Sequence, residues 1–200
     1  MADQETIKTY DLMAQEYDEE TADFWSKFPY KIFDKFTANL PNNGLVLDIG
    51  SGPGRDALIL EDHGFQVVCL DASQTMINLT RLKGLTSELA DFLQIPFPNN
   101  TFDGAWAYTS LLHVSKSQMP AALKEAHRII KQRGIFGLGL IEGEKEGPVL
   151  SAGVTRPRYF SFYQKDEVEN LLKEAGFQIF YFEQFQPKSR NYLNFISRKL

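Results

Sequence analysis

Apolar side chains recur at helical spacing through the first forty residues of the chain. Tyr10, Leu12, Met13 and Tyr17 mark one helical segment. Phe24, Trp25, Phe28, Ile32, Phe33 and Phe36 mark a second, interrupted by Pro29. Pro41-Asn42-Asn43-Gly44 is a turn cluster that separates this region from the remainder of the chain. From Leu45 the pattern changes. Leu45 to Leu47 is a short apolar run ending in Asp48, and a glycine-rich turn then leads into a helical stretch over Asp56 to Asp62. Phe65 to Leu70 is the next apolar run, ending in Asp71, and Ser73 caps a helix reaching Leu82. Thr86 to Ala90 reads as a weak strand, Asp91 to Asn100 as a loop and Phe102 to Tyr108 as a strand. Met119, Ala122, Leu123, Ala126 and Ile130 share one helical face, Gly134 closes that helix, and Ile135 to Ile141 forms another strand. Short apolar strands alternating with helices predict βαβ units around a buried parallel sheet.

The last third departs from this alternation. Residues 142–158 hold charges, three glycines and two prolines, and read as a loop. Val168, Leu171, Leu172 and Ala175 form a helical face ended by Gly176. Phe177 to Phe185 and Asn191 to Ser197 read as strands close enough in sequence to pair as a hairpin. The fold class is therefore α/β, a parallel sheet finished by an antiparallel hairpin. Residues 1–40 are expected to form a helical cap or lid, and residues 41–200 one ligand-binding unit.

Composition narrows the functional classes. A chain of 200 residues, 43% hydrophobic and 13% aromatic, can bury a single core without staples. Its 21 basic residues against 26 acidic leave a net charge of -5, which argues against a dedicated nucleic-acid binder. One cysteine, Cys69, excludes an internal disulfide and a four-cysteine zinc site. His63, His113 and His127 lack close ligand spacing, so no metal is expected. The longest apolar stretch, Gly134 to Ile141, contains three glycines and stops at Glu142, so no membrane span is predicted. The opening residues lack a basic region followed by an apolar core, and a cytoplasmic location is the default expectation.

The candidate chemistry centres on Asp48-Ile49-Gly50-Ser51-Gly52-Pro53-Gly54, between a buried strand and a helix. Glycines there permit a tight turn and close approach of a ligand to the backbone, beside a helix N-terminus. Taken alone, the turn is equally a plain strand-to-helix connection. A dinucleotide fingerprint needs a third glycine at position 55, which is Arg55, and no Gly-Lys-Ser/Thr of a phosphate loop follows. Asp71 lies 21 residues after Gly50, the right distance to bring a carboxylate beside a nucleoside ribose, although an aspartate there could also cap a helix.

The row D-x-G-x-G-x-G resembles the first motif of the class I S-adenosylmethionine-dependent methyltransferases. Ile95-Pro96-Phe97-Pro98 before Phe102-Asp103-Gly104-Ala105-Trp106, Leu111-Leu112-His113, the run Ile129 to Gly134, and the Phe160 to Gly176 block with Tyr163 are also similar to that family. The likeness runs from about residue 10 to residue 200. It implies a three-layer, Rossmann-like fold with a mostly parallel seven-stranded sheet and S-adenosylmethionine as cofactor, leaving S-adenosylhomocysteine. It would place Gly50, Ser51, Gly52 and Gly54 along the methionine part, with Asp48 and Arg55 near its charged ends. Asp71 and Ala72 would meet the ribose, Asp91, Phe92 and Met76 the adenine, Ala107 the methyl end, and Tyr17 the cofactor from the lid.

The fourth strand ends Ala107-Tyr108-Thr109-Ser110, whereas family members that methylate exocyclic amines of bases carry Asn-Pro-Pro-Tyr or a close variant there. Cys69, inside a strand, is no nucleophile for cytosine-carbon methylation. The expectation is a small-molecule acceptor reacting through oxygen, nitrogen or sulfur. The alternatives are an RNA methyltransferase, or a cofactor-binding subunit or sensor without turnover. His113 is the candidate general base, and Tyr108 a second candidate catalytic group. Tyr10, Trp25, Arg158, Tyr159 and Tyr163 are candidates for the acceptor pocket, with Arg156 or Arg158 binding an anionic group. No membrane or nucleic-acid partner is expected, and the chain is expected to be a monomer or homodimer.

Overall fold

The computed structural model describes residues 3–27, 31–150, 156–186 and 189–200. Three helices come first: α1 (Gln4–Thr21), α2 (Phe24–Lys27) and α3 (Lys31–Thr37). The interruption expected at Pro29 lies outside the described residues. Then come β1 (Leu45–Ile49), α4 (Arg55–Asp62), β2 (Gln66–Asp71), α5 (Gln74–Leu82), β3 (Thr86–Leu89) and β4 (Phe102–Tyr108). A single 3-10 turn, Leu111–His113, leads to α6 (Met119–Ile129), β5 (Ile130–Ile141), β6 (Glu146–Val149) and β7 (Arg158–Ser161). The chain closes with α7 (Lys165–Glu174), β8 (Phe177–Phe185) and β9 (Tyr192–Lys199).

Seven strands form one sheet in the order β3-β2-β1-β4-β5-β9-β8. The pairs among β1 to β5 are parallel, and β9 runs antiparallel between β5 and β8. Strand order reverses between β1 and β4, and a ligand crevice opens beyond the carboxyl ends of strands at such a point. Successive residues feed opposite layers. Val46 and Trp106 join the core shared with α3 and α4, while Leu47 and Ala107 join the core shared with α6 and α7. Among the described residues, no helix is long and apolar enough to cross a membrane.

Two glycines of β5 shape the sheet near the crevice. Gly137 lies opposite Trp106, and Gly139 opposite Tyr108. A Cβ at either glycine would stand 2.4 Å from the facing ring. Their absence lets Trp106 and Tyr108 stack at 5.6 Å, and Tyr108 in turn stacks on Tyr192 of β9 at 6.2 Å. Phe33 and Phe36 of α3 close on Trp106, each at 5.0 Å, so α3 belongs to the sheet's own core.

Two elements differ from the sequence expectation. β5 begins at Ile130, directly after α6, and Arg133 takes a φ of 65° where the ladder to β4 shifts register. Part of the expected 142–158 loop is ordered as β6, which pairs antiparallel with β7. That small sheet is anchored by Ser161 Oγ donating to the Val114 carbonyl at 2.7 Å, a tertiary contact that no local pattern announces.

Candidate functional site

The β1–α4 turn is built by backbone hydrogen bonds. Gly50 N and Ser51 N both donate to the Leu70 carbonyl, at 2.7 and 3.0 Å, tying the turn to β2. Gly50, Gly52 and Gly54 all have positive φ, but their surroundings separate them. A Cβ on Gly50 would lie 2.4 Å from Ser110 Cβ, and one on Gly54 2.4 Å from Leu85 Cδ1. These two glycines permit close packing. At Gly52 the nearest atom would be Tyr17 Cε1 at 3.8 Å, so here the bare backbone faces the cleft.

Two carboxylates flank that backbone. Asp71 accepts from Gly52 N and Ser73 N, each at 2.8 Å, and so joins the glycine turn to the start of α5. Burial raises its carboxyl above the ordinary value. Asp48 is 3% exposed and its Oδ2 has no hydrogen-bond partner. Burial, reinforced by the negative field of Asp56, pushes the Asp48 carboxyl well up.

Asp56 is a buried hub. Its Oδ1 accepts from Arg55 Nε at 2.6 Å and Trp25 Nε1 at 2.7 Å, and its Oδ2 accepts from Trp106 Nε1 at 2.8 Å. Arg55 is thereby fixed, with its guanidinium carbon 4.9 Å from the centre of the Phe24 ring.

Helix α1 crosses the cleft and is fastened on both sides. Asp11 Oδ1 accepts from Ser73 Oγ at 2.6 Å and Thr75 N at 3.1 Å, and Lys83 Nζ reaches Asp18 at 2.7 Å. On the other side Tyr159 N donates to Thr6 Oγ1 at 2.7 Å. A relay adjoins it: Arg158 Nη1 donates to Tyr10 OH at 3.0 Å, and Tyr10 OH meets His113 Nε2 at 2.8 Å. His113 Nδ1 lies 2.6 Å from the Tyr159 carbonyl. A carbonyl only accepts, so Nδ1 carries the proton and Nε2 accepts from Tyr10. Burial lowers the imidazole to about 4, so His113 is neutral at pH 7 with both nitrogens engaged.

The resulting cleft has an empty volume of about 830 Å³, counted out to its open mouth. The predicted residues Tyr10, Tyr17, Asp48, Gly50, Ser51, Gly52, Arg55, Asp71, Ala72, Met76, Phe92, Tyr108 and His113 line it. So do Asp3, Thr6, Ile7, Thr21, Pro53, Asp56, Ser73, Thr109 and Ser110, none of which the sequence reading assigns to the site. Thr109 carries a signal visible only in the backbone: a β-branched residue at φ 55°, held by its N–H on the Gly139 carbonyl at 2.9 Å. An adjoining chamber of about 630 Å³ shares Tyr10, Tyr17, Thr21, Arg55, Tyr108, Thr109 and His113, and adds Phe24, Leu112, Ile141, Arg158, Phe160, Arg190 and Tyr192.

Other predicted residues fall elsewhere. Trp25 is a correction: it is 2% exposed, bonded to Asp56, and lines neither chamber. Tyr163 is likewise fully buried, under Lys116, whose Nζ lies 5.0 Å from the ring centre. Tyr159 bonds through its backbone and lines neither chamber. Gly54 and Ala107 are packing positions beside the site. Asp91 accepts from Leu93 N at 2.9 Å and does not line the cleft, although its neighbour Phe92 does. Arg156 lies 4.0 Å from Glu5, more than half exposed, away from both chambers.

Comparison with known proteins bears on this arrangement. Residues 47–138 match the family model described as a methyltransferase domain. An O-methyltransferase of Aspergillus sclerotiorum is 23% identical over 171 residues, 77% of this chain and 62% of the relative. The sarcosine/dimethylglycine N-methyltransferase of Aphanothece halophytica is 33% identical over 115 residues, 53% of this chain and 40% of the relative. The chain therefore spans less than two thirds of either relative's length. A Burkholderia thailandensis 1,6-didemethyltoxoflavin-N1-methyltransferase, solved with 1,6-didemethyltoxoflavin and S-adenosylhomocysteine, superposes with a TM-score of 0.72 at 20% identity, covering 96% of this chain and 87% of that one. Sheet order, glycine turn and the match of residues 47–138 to a methyltransferase domain together support a class I S-adenosylmethionine-dependent methyltransferase.

Proposed function

We propose that this chain transfers a methyl group from S-adenosylmethionine to a small-molecule acceptor through an oxygen, nitrogen or sulfur atom. The observation that carries the reading is the open Gly52 backbone between the buried carboxylate of Asp48 and the half-buried one of Asp71, in a cleft that leads into a second chamber. Asp48 has a buried oxygen with no hydrogen-bond partner, which suits a cationic group of the cofactor. Asp71 and Ala72 would hold the ribose, with Phe92 and Met76 against the adenine. When bound, S-adenosylmethionine would supply an activated methyl carbon: the acceptor lone pair would bond to that carbon in line as the carbon–sulfur electron pair returned to sulfur, with S-adenosylhomocysteine leaving.

The chain's own contribution is alignment and exclusion of water. Helix α1 covers the cleft and brings Tyr10 and Tyr17 to the boundary between the chambers. Tyr108 and Thr109, at the end of β4, stand on the same boundary. With Nδ1 and Nε2 both hydrogen-bonded, His113 acts as a strut of this wall, and the acceptor must offer its lone pair without help from the imidazole. Oxygen and nitrogen acceptors agree with the activities named for the two relatives. The test is transfer of labelled methyl from S-adenosylmethionine to a panel of phenols, carboxylic acids, amines and thiols. Labelled product with at least one class supports the proposal. A protein that binds the cofactor yet labels only RNA would overturn the small-molecule assignment.

A further inference from the structure

We infer that the methyl acceptor is a small planar organic acid, with its carboxylate held by Arg158 and Arg190 in the second chamber. This rests on the methyl-transfer reading and goes on to name the class of molecule. Three arginines line the chamber: Arg55, Arg158 and Arg190. Arg55 is neutralised by Asp56 at 2.6 Å. All 26 acidic residues of the chain are among those described, and none of them lines this chamber. The space is thus cationic inside a protein whose net charge is -5.

The Arg158 and Arg190 guanidinium groups both border one ring. The Arg158 and Arg190 carbons lie 5.3 and 5.8 Å from the centre of Phe160. Arg158 is 9% exposed and anchored through Tyr10, so its orientation is set before any ligand arrives. Arg190 is exposed, has no ion-pair partner among the described residues, and reaches in from the start of the β9 hairpin arm. Two cationic side chains on one chamber wall favour an entering anion. A guanidinium fork matches the two oxygens of a carboxylate, and an ammonium acceptor would be rejected by the same field.

The walls fix the shape. Tyr108 and Tyr192 lie within 4° of parallel, and Phe24 tilts against both at 6.1 and 6.2 Å. Such surfaces favour a flat conjugated ligand over a branched aliphatic one.

The experiment measures thermal stabilisation and affinity for matched pairs of aromatic probes, salicylate against salicylamide and anthranilate against anthranilamide, on the whole chain saturated with S-adenosylhomocysteine. At least one carboxylate should raise the melting midpoint above that of the cofactor complex, while its amide should not. Arg190→Gln should weaken the carboxylate about tenfold or more and leave S-adenosylhomocysteine affinity unchanged. Arg190→Lys, which keeps charge without the fork, should recover part of the loss. Arg158→Gln should have the same effect on the carboxylate, with cofactor affinity as the check that it folds. Equal response to acids and amides, no response to either, or an acid preference that survives both glutamine variants would overturn the inference. Failure of S-adenosylhomocysteine to bind the wild-type chain would instead sink the methyl-transfer reading.

Discussion

His113 gives a quantitative prediction about acid stability. Its ring is 9% exposed, donates to the Tyr159 carbonyl and accepts from Tyr10. Burial outweighs the Tyr159 carbonyl, which favours the charged ring, and holds the folded imidazole at about 4, against the ordinary 6.5 it regains on unfolding. Proton counts give the sign. Between pH 6.5 and 4 the unfolded chain binds a proton at this site and the folded chain does not, so stability falls as pH falls through that window. Tenfold in proton affinity is about 1.4 kcal/mol, so the whole interval is worth about 3 kcal/mol, of which about 2 kcal/mol falls between pH 7 and 5. Asp48 and Asp71, raised by burial, act in the opposite direction, so the wild-type curve alone mixes the contributions. Subtracting His113→Gln isolates the histidine. That variant should be less stable at pH 7, and the gap in melting midpoint should narrow by roughly 4–8 °C on going to pH 5 for a chain of this size. Parallel curves across that interval, or an NMR titration of His113 near 6.5, would refute the neutral relay.

Three other perturbations test the geometry. Gly50→Ala places a Cβ 2.4 Å from Ser110 Cβ at a φ of 69°, and should lose roughly 3 kcal/mol and S-adenosylhomocysteine binding together, read by calorimetry. Asp56→Ala leaves two buried indole N–H groups without their acceptor, which should cost about 3–5 kcal/mol. Because Trp25 and Trp106 are the chain's two tryptophans, the same variant should shift the emission maximum, and an unchanged spectrum would count against the hub. Asp11→Ala removes the clasp to Ser73 and Thr75, so limited proteolysis of the N-terminal helix should accelerate, while S-adenosylhomocysteine should slow it in the wild type.

The strands around the crevice were legible because burial on both faces leaves short unbroken apolar runs, as in Phe102 to Tyr108 and Phe65 to Leu70. The nearness of Asp71 to the glycine turn was legible because their spacing is set by one βαβ unit. The limits are equally physical. An aromatic residue on a helix reads the same whether it walls a pocket or fills a core. Trp25 was resolved only by Asp56, 31 residues away in sequence. Arg190 gave no signal, since a charged residue beside a hairpin turn is usually solvated, and its place beside Phe160 depends on how the hairpin lies against β7. The β6–β7 pair was hidden by Gly147 and Pro148, which lower strand propensity where a tertiary anchor supplies the order. The start of β5 was hidden because a left-handed Arg133 takes the bend that Gly134 seemed to mark as a stop.

In the proposed function the glycine turn and Asp71 hold the nucleoside cofactor of a methyltransferase. The most direct measurement is thermal unfolding with S-adenosylhomocysteine, with NAD as control and Asp71→Ala beside the wild type. At a hundredfold over its dissociation constant the ligand adds about 2.7 kcal/mol, and the wild-type midpoint should rise by roughly 5–10 °C. NAD should give no rise, because position 55 is arginine where a dinucleotide turn needs glycine, and Asp71→Ala should lose the response. A wild-type chain that melts at the same temperature with and without S-adenosylhomocysteine, or that responds to NAD instead, would contradict the account.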